Sequence, residues 1–157
     1  MSVIGFTGHQ DLPEAARRHS ERELRRLLAD HPGAEGLCSL AAGSDQQFAR
    51  LVLEAGHVLH LVIASHGYER LLDPRNLAAY WELHAAADDV TTLEFAEPCE
   101  PAFYAAGAYI VEHCDLLAAV WDGGPARGLG GTGDIVALAR ATHRPVEIIW
   151  PQGLRRG

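Results

Sequence analysis

Lysine is missing altogether, and all 13 basic side chains of this 157-residue chain are arginines. That absence removes every mechanism needing an amine nucleophile, a Schiff base or the lysine of a phosphate-binding P-loop. Cysteine is scarce. Cys38, Cys99 and Cys114 form no CxxC pair and are odd in number, which argues for free thiols in a reducing compartment. No apolar run reaches about 18 residues, and no charged-then-apolar leader opens the chain. A cytoplasmic protein without a membrane partner is therefore expected. The GxSxG elbow of serine hydrolases is absent, as is the HExxH of zinc peptidases. His57 and His60 lie three apart at an expected strand and would diverge across it. No metal and no cofactor is expected.

Acidic residues outnumber basic ones by 21 to 13, a formal charge of −8. A broad duplex-binding surface wants clustered positive charge, so no duplex nucleic acid is expected as a partner. A local arginine pocket for one phosphate remains compatible with that balance. Hydrophobic content of 48% and charged content of 22% suit an ordinary folded domain.

The apolar runs alternate with amphipathic stretches along the whole chain. Strands are expected at 2–7, 36–40, 58–63, 90–93, 116–121 and 145–150. Helices are expected at about 12–29, 45–53, 76–87, 103–113 and 135–142. Runs apolar on both faces belong to a parallel sheet covered by helices on each side. The expected fold class is α/β: one Rossmann-like three-layer domain over residues 1–157 with a mostly parallel sheet. Trp121, Tyr80 and Trp81 read as core or interface aromatics, and helix faces with Tyr80, Trp81, Phe103 and Tyr104 would suit a homodimer or higher homo-oligomer.

The segment from Asp122 to Asp134 carries the strongest functional signal. It joins an expected strand to an expected helix and is rich in glycine. Glycines let backbone approach an anion, and the first N–H groups of a helix lack internal partners. Gly130, Gly131 and Thr132 are the expected phosphate cradle, with Arg127 either pairing with the phosphate or solvated. Gly43 and Ser44 repeat the strand–turn–helix pattern, with Ser44 as either a capping hydroxyl or a second anion contact. Gly8 and His9 end the first strand and would border the same pocket, though a packed loop histidine fits equally. Asp134, in the first helical turn, is the candidate catalytic carboxylate, against the alternative that it only favours the helix dipole.

Three stretches, 3–9, 40–45 and 128–134, together resemble the SLOG superfamily of Rossmann-like nucleotide-binding proteins. That group includes the Lonely Guy phosphoribohydrolases, proteins described as molybdenum cofactor carriers, and the Rossmann domain of the DNA-processing protein. The resemblance implies a small nucleotide-like ligand held at the carboxyl edge of the sheet. It leaves two alternatives: a nucleoside 5′-monophosphate phosphoribohydrolase, or a carrier of a pterin-type cofactor. Against the PGGxGTxxE motif of the Lonely Guy enzymes, Gly128 and the Gly131-Thr132 pair match. Arg127, Leu129 and Ile135 replace the proline, the second glycine and the glutamate. Asp134 sits one residue before the motif's acid, about 100° away around a helix. Arg75 and Arg127 are the candidates for that family's catalytic arginine.

Overall fold

The computed structural model describes residues 2–156. Six strands form one sheet: β1 (Val3–Gly8), β2 (Glu35–Cys38), β3 (Leu59–Ile63), β4 (Asp89–Thr92), β5 (Leu116–Val120) and β6 (Val146–Ile149). Their spatial order is β4-β3-β2-β1-β5-β6, and every neighbouring pair is parallel. Five α-helices connect them: α1 (Glu14–Asp30), α2 (Ser44–Glu54), α3 (Pro74–Ala86), α4 (Glu100–His113) and α5 (Thr132–Ala141). A short 3-10 turn, Tyr68–Leu71, precedes α3. The sheet is wholly parallel, as suits strands apolar on both faces.

Two apolar layers sandwich that sheet. Leu24, Leu27 and Leu28 of α1, Phe48 and Leu51 of α2, and Tyr80 and Leu83 of α3 pack on one face. Ala102, Ala106 and Ile110 of α4 pack with Ile135 and Ala139 of α5 on the other. β1 shows the alternation that makes this possible. Ile4 and Phe6 join the first layer, and the Phe6 ring stacks on Phe48 at 4.7 Å between centroids. Burying an aromatic of that size contributes roughly 2–3 kcal/mol. Tyr80 is therefore a core residue, only 2% exposed, whereas its neighbour Trp81 is exposed.

One junction depends on glycine. α2 starts after Gly43, whose φ of +84° and ψ of −124° suit no other residue, and a Cβ there would run into the Gln10 carbonyl. Gly8 faces the same junction, where a Cβ would strike the Ser44 hydroxyl and the Phe6 ring. The expectation that Ser44 caps α2 is corrected: Gly43 is the N-cap, and the Ser44 hydroxyl reaches across the sheet edge to the His9 carbonyl at 2.7 Å. Packing of α2 against β1 turns that hydroxyl away from its own helix. Gly43→Ala combines backbone strain with a collision, so a loss of about 3 kcal/mol is expected in urea unfolding. A loss below about 1 kcal/mol would show that the turn relaxes freely.

Candidate functional site

The chain leaves β1 toward β2, β3 and β4, then returns to β5 on the other side of β1. Connections diverge at the carboxyl ends of β1 and β5, and such a switch point leaves a crevice between the two outgoing loops. His9 stands at this point, 5% exposed. Its N–H donates to the Val120 carbonyl at 3.2 Å, and its carbonyl accepts from the Ser44 amide at 3.3 Å as well as from the hydroxyl. Its Nε2 lies 3.2 Å from the Asp122 amide nitrogen and 3.1 Å from Asp122 Oδ1. A bare Nε2 accepts the amide hydrogen, whereas a protonated Nε2 donates to the carboxylate. Burial holds the imidazole pKa below its ordinary value; the Asp122 hydrogen bond pulls the other way, and Arg156 adds to the lowering. A neutral ring results. One residue, through its backbone and its ring, thus ties together three loops at the sheet edge.

The glycine-rich segment lies across the crevice from that tie. Its amides are engaged by protein groups. Leu129 N–H donates to Glu100 Oε2 at 3.3 Å, Gly130 N–H to Asp134 Oδ2 at 3.0 Å, and Gly131 N–H to the Gly128 carbonyl at 3.3 Å. Two of these three partners are carboxylates, so anionic oxygens already sit on the loop. Among the described residues no group hydrogen-bonds the hydroxyl of Thr132, which opens α5. Gly128, Gly130 and Gly133 also carry the G-x-G-x-x-G spacing. They begin eight residues after the last strand residue, Val120, whereas the dinucleotide fingerprint follows its strand directly.

A cleft of about 760 Å³ runs along this edge. Gly8, His9, Arg127, Gly130, Gly131 and Thr132 all line it, whereas Gly43, Ser44 and Asp134 do not. Asp134 turns its carboxylate to the Gly130 amide and shapes the loop. Arg75, on α3, is exposed and away from the cleft wall.

Three lining groups escaped the sequence reading. Arg156, in the tail beyond β6, joins Arg127 at the switch-point end. Burial first, then the nearby Arg127 guanidinium, holds its pKa below the usual value. Its Nε is buried without a partner among the described residues. At the inner end, Tyr68 packs edge-on to Phe103 at 6.1 Å, and both line the wall. Asp45, in the first turn of α2, is 9% exposed, and burial raises its carboxyl pKa to about 7. The Ala41 N–H, donating to Asp45 Oδ2 at 3.2 Å, opposes that rise.

With this geometry in view, the similar folds are informative. No family model and no curated protein sequence matches the chain. DNA processing protein A from Streptococcus pneumoniae superposes with a TM-score of 0.74 at 16% identity, over 98% of this chain and 52% of that one. The chain thus spans about half the length of that protein. DNA processing protein A from Helicobacter pylori, described for its single-stranded DNA binding mode, gives 0.70 at 17% identity, over 99% and 68% of the two chains. The molybdenum cofactor binding protein from Rippkaea orientalis gives 0.62 at 19%, over 94% and 75%.

The chain shares the fold of these proteins. At these identities the likeness concerns architecture, and it agrees with the group that the three glycine-bearing stretches resemble. One expectation is corrected by it. The −8 charge led to an expected partner set of a nucleotide-like small molecule and further copies of the chain, with duplex nucleic acid left out. A fold shared with a single-stranded DNA binder removes the ground for excluding nucleic acid. Net charge is a whole-molecule sum, and a single strand can be held in a local groove by a few arginines and stacking rings. No helix among the described residues is long and apolar enough to cross a membrane.

Two outcomes test this description. His9→Ala removes the ring's contacts with Asp122, leaves the backbone bonds to Val120 and Ser44, and is expected to cost about 2 kcal/mol in urea unfolding at neutral pH. For Asp45 the folded pKa of about 7 exceeds the ordinary 3.8. The folded state therefore binds more protons between those values, and stability falls as pH rises through that window. Asp45→Asn is expected to raise stability by about 1–3 kcal/mol at pH 8, with the gain shrinking toward pH 4. A gain independent of pH would mean that the carboxyl is solvated.

Proposed function

We propose that this chain binds a phosphorylated nucleotide or nucleotide-derived molecule in the cleft at the carboxyl edge of its sheet. One observation carries the reading: a single cleft at the topological switch point is lined by the glycine-rich loop, by Arg127 and Arg156, and by Tyr68, Phe103 and aliphatic side chains. Its volume falls in the range of small-molecule sites, and its position is where open α/β sheets take ligands. Like-charged Arg127 and Arg156 at one end favour an anion near them. The Thr132 hydroxyl and the first amides of α5 would add donors. A phosphate reaching the loop amides would displace the Glu100 and Asp134 carboxylates, exchanging one anion for another. The free cysteines suit a reducing, cytoplasmic setting.

Binding rather than hydrolysis is the favoured reading, because Asp134 is committed to the Gly130 amide and does not line the cleft. The experiment is a thermal-shift panel of AMP, GMP, a phosphorylated pterin and a single-stranded oligothymidylate. A bound ligand at about 100 times its Kd adds about 2.7 kcal/mol, a rise of roughly 5–10 °C in Tm. Arg156→Ala should weaken binding of the phosphorylated compounds and leave the matching nucleosides unaffected. No shift with any small molecule at millimolar concentration would overturn the proposal. A shift with the oligonucleotide alone would assign the cleft to a single strand, and release of adenine from AMP would assign it to the hydrolase reading.

A further inference from the structure

Asp45 is hard to explain as a structural residue. An acid in the first turn of a helix gains from the helix dipole, but that gain is available at the surface, and Asp45 is nine-tenths buried in the inner wall of the cleft. It is not the cap of α2, which is Gly43. Its Oδ2 accepts one backbone N–H, from Ala41. Among the described residues nothing donates to Oδ1. The titratable groups whose own pKa it raises are the Cys38 thiol and the Tyr68 phenol, and neither is a cation. A buried carboxyl with one occupied oxygen and no counter-charge is a cost that folding alone does not offset. Such a group is retained where a ligand completes it.

The surroundings decide what kind of ligand group that is. Tyr68 stands beside Asp45 and packs edge-on against Phe103, and both rings line the cleft as a wall. That wall suits a flat heterocycle better than a sugar, while the arginines lie at the His9 end of the cleft. Above its pKa of about 7 the ionised carboxyl offers only acceptors, two of them side by side. It therefore matches an edge with two adjacent N–H donors. The lactam N–H and amino group of guanine supply such an edge, as does the 2-amino-4-oxo ring of a pterin. The corresponding edge of adenine pairs its amino group with a bare nitrogen, which would face a carboxylate lone pair.

We infer that Asp45 reads the base of the ligand, and that the cleft selects a 2-amino-4-oxo heterocycle, guanine or pterin, over adenine. This rests on the proposal that the cleft takes a phosphorylated nucleotide-type ligand. The ring would lie inward against Tyr68 and Phe103, with its phosphate toward Arg127 and Arg156. A site built around hydrogen bonds rejects an analogue that leaves a buried polar group unmatched.

Calorimetric titration of the full chain at pH 8 with GMP, IMP, AMP and a phosphorylated pterin tests the inference, together with Asp45→Asn. GMP or the pterin is expected to bind at least about tenfold more tightly than AMP. IMP, which keeps the lactam N–H and loses the amine, should fall between GMP and AMP. Asp45→Asn should weaken the preferred ligand by at least about tenfold and leave AMP unchanged or improved. Because that variant is expected to be the more stable protein, its loss of binding is separable from misfolding, and far-ultraviolet circular dichroism confirms the fold. Whichever of GMP and the pterin binds more tightly names the source of the ring. Equal affinity for AMP and GMP, or an unchanged ratio in Asp45→Asn, overturns the inference while the nucleotide reading stands. Failure of all four ligands overturns both.

Discussion

The site depends on the hydrogen bonds that converge on His9. β1 occupies the centre of the sheet, and the loops leaving β1, β2 and β5 diverge from its carboxyl end. Divergence opens a crevice, but it also leaves three loop starts without sheet neighbours. His9 supplies them: its amide holds Val120, its carbonyl holds Ser44, and its ring holds Asp122. Everything beyond these contacts follows from where they place the chain. Ser44 fixes the start of α2 and so the inward direction of Asp45. Asp122 starts the glycine-rich segment beside the His9 ring. Burial keeps the imidazole neutral, so the tie is made without placing a cation where the arginines already stand.

The cleft that results is polar in an ordered way. It gathers Arg127 and Arg156 near His9, and it holds one buried carboxyl, Asp45, beside Tyr68. A ligand with a phosphate at one end and a donor-bearing ring at the other can lie in such a cleft in one direction only. The net charge of −8 carries no trace of this, because residues 54–115, with eleven acidic side chains against two arginines, dominate the sum. Local arrangement decides which anions a site accepts.

Much of this architecture is legible in the chain. Leu116–Val120 is apolar on both faces, as suits a covered parallel sheet. Gly43 and the 122–131 segment mark turns between strand and helix because few other residues could make them. The missed features share a different cause: each depends on a partner far away in sequence. Ser44 looks like a cap because its hydroxyl acceptor, His9, is 35 residues away. Glu100 reaches the Leu129 amide over a separation of 29 residues. Phe103 reads as part of an outward helix face until α4 is laid on the sheet and the ring turns to the cleft. Arg156 follows the last strand, where nothing in the local pattern shows that the tail folds back; the bond from Trp150 Nε1 to the Leu154 carbonyl at 2.8 Å is what brings it round.

Asp45 illustrates why a local reading can be correct and still incomplete. An aspartate in a first helical turn is what helix electrostatics favour, and the position alone suggests a solvated side chain. Its burial arises two steps away, from the stacking of Phe48 on Phe6, which seats α2 tightly on β1 and brings its first turn into the sheet edge. The packing that stabilises the domain thereby creates its least comfortable residue. Functional sites are where a local preference and the global fold are expected to conflict. At this edge the conflict is confined to one carboxyl oxygen, and a ligand donor placed against it would relieve the strain that the core packing imposes.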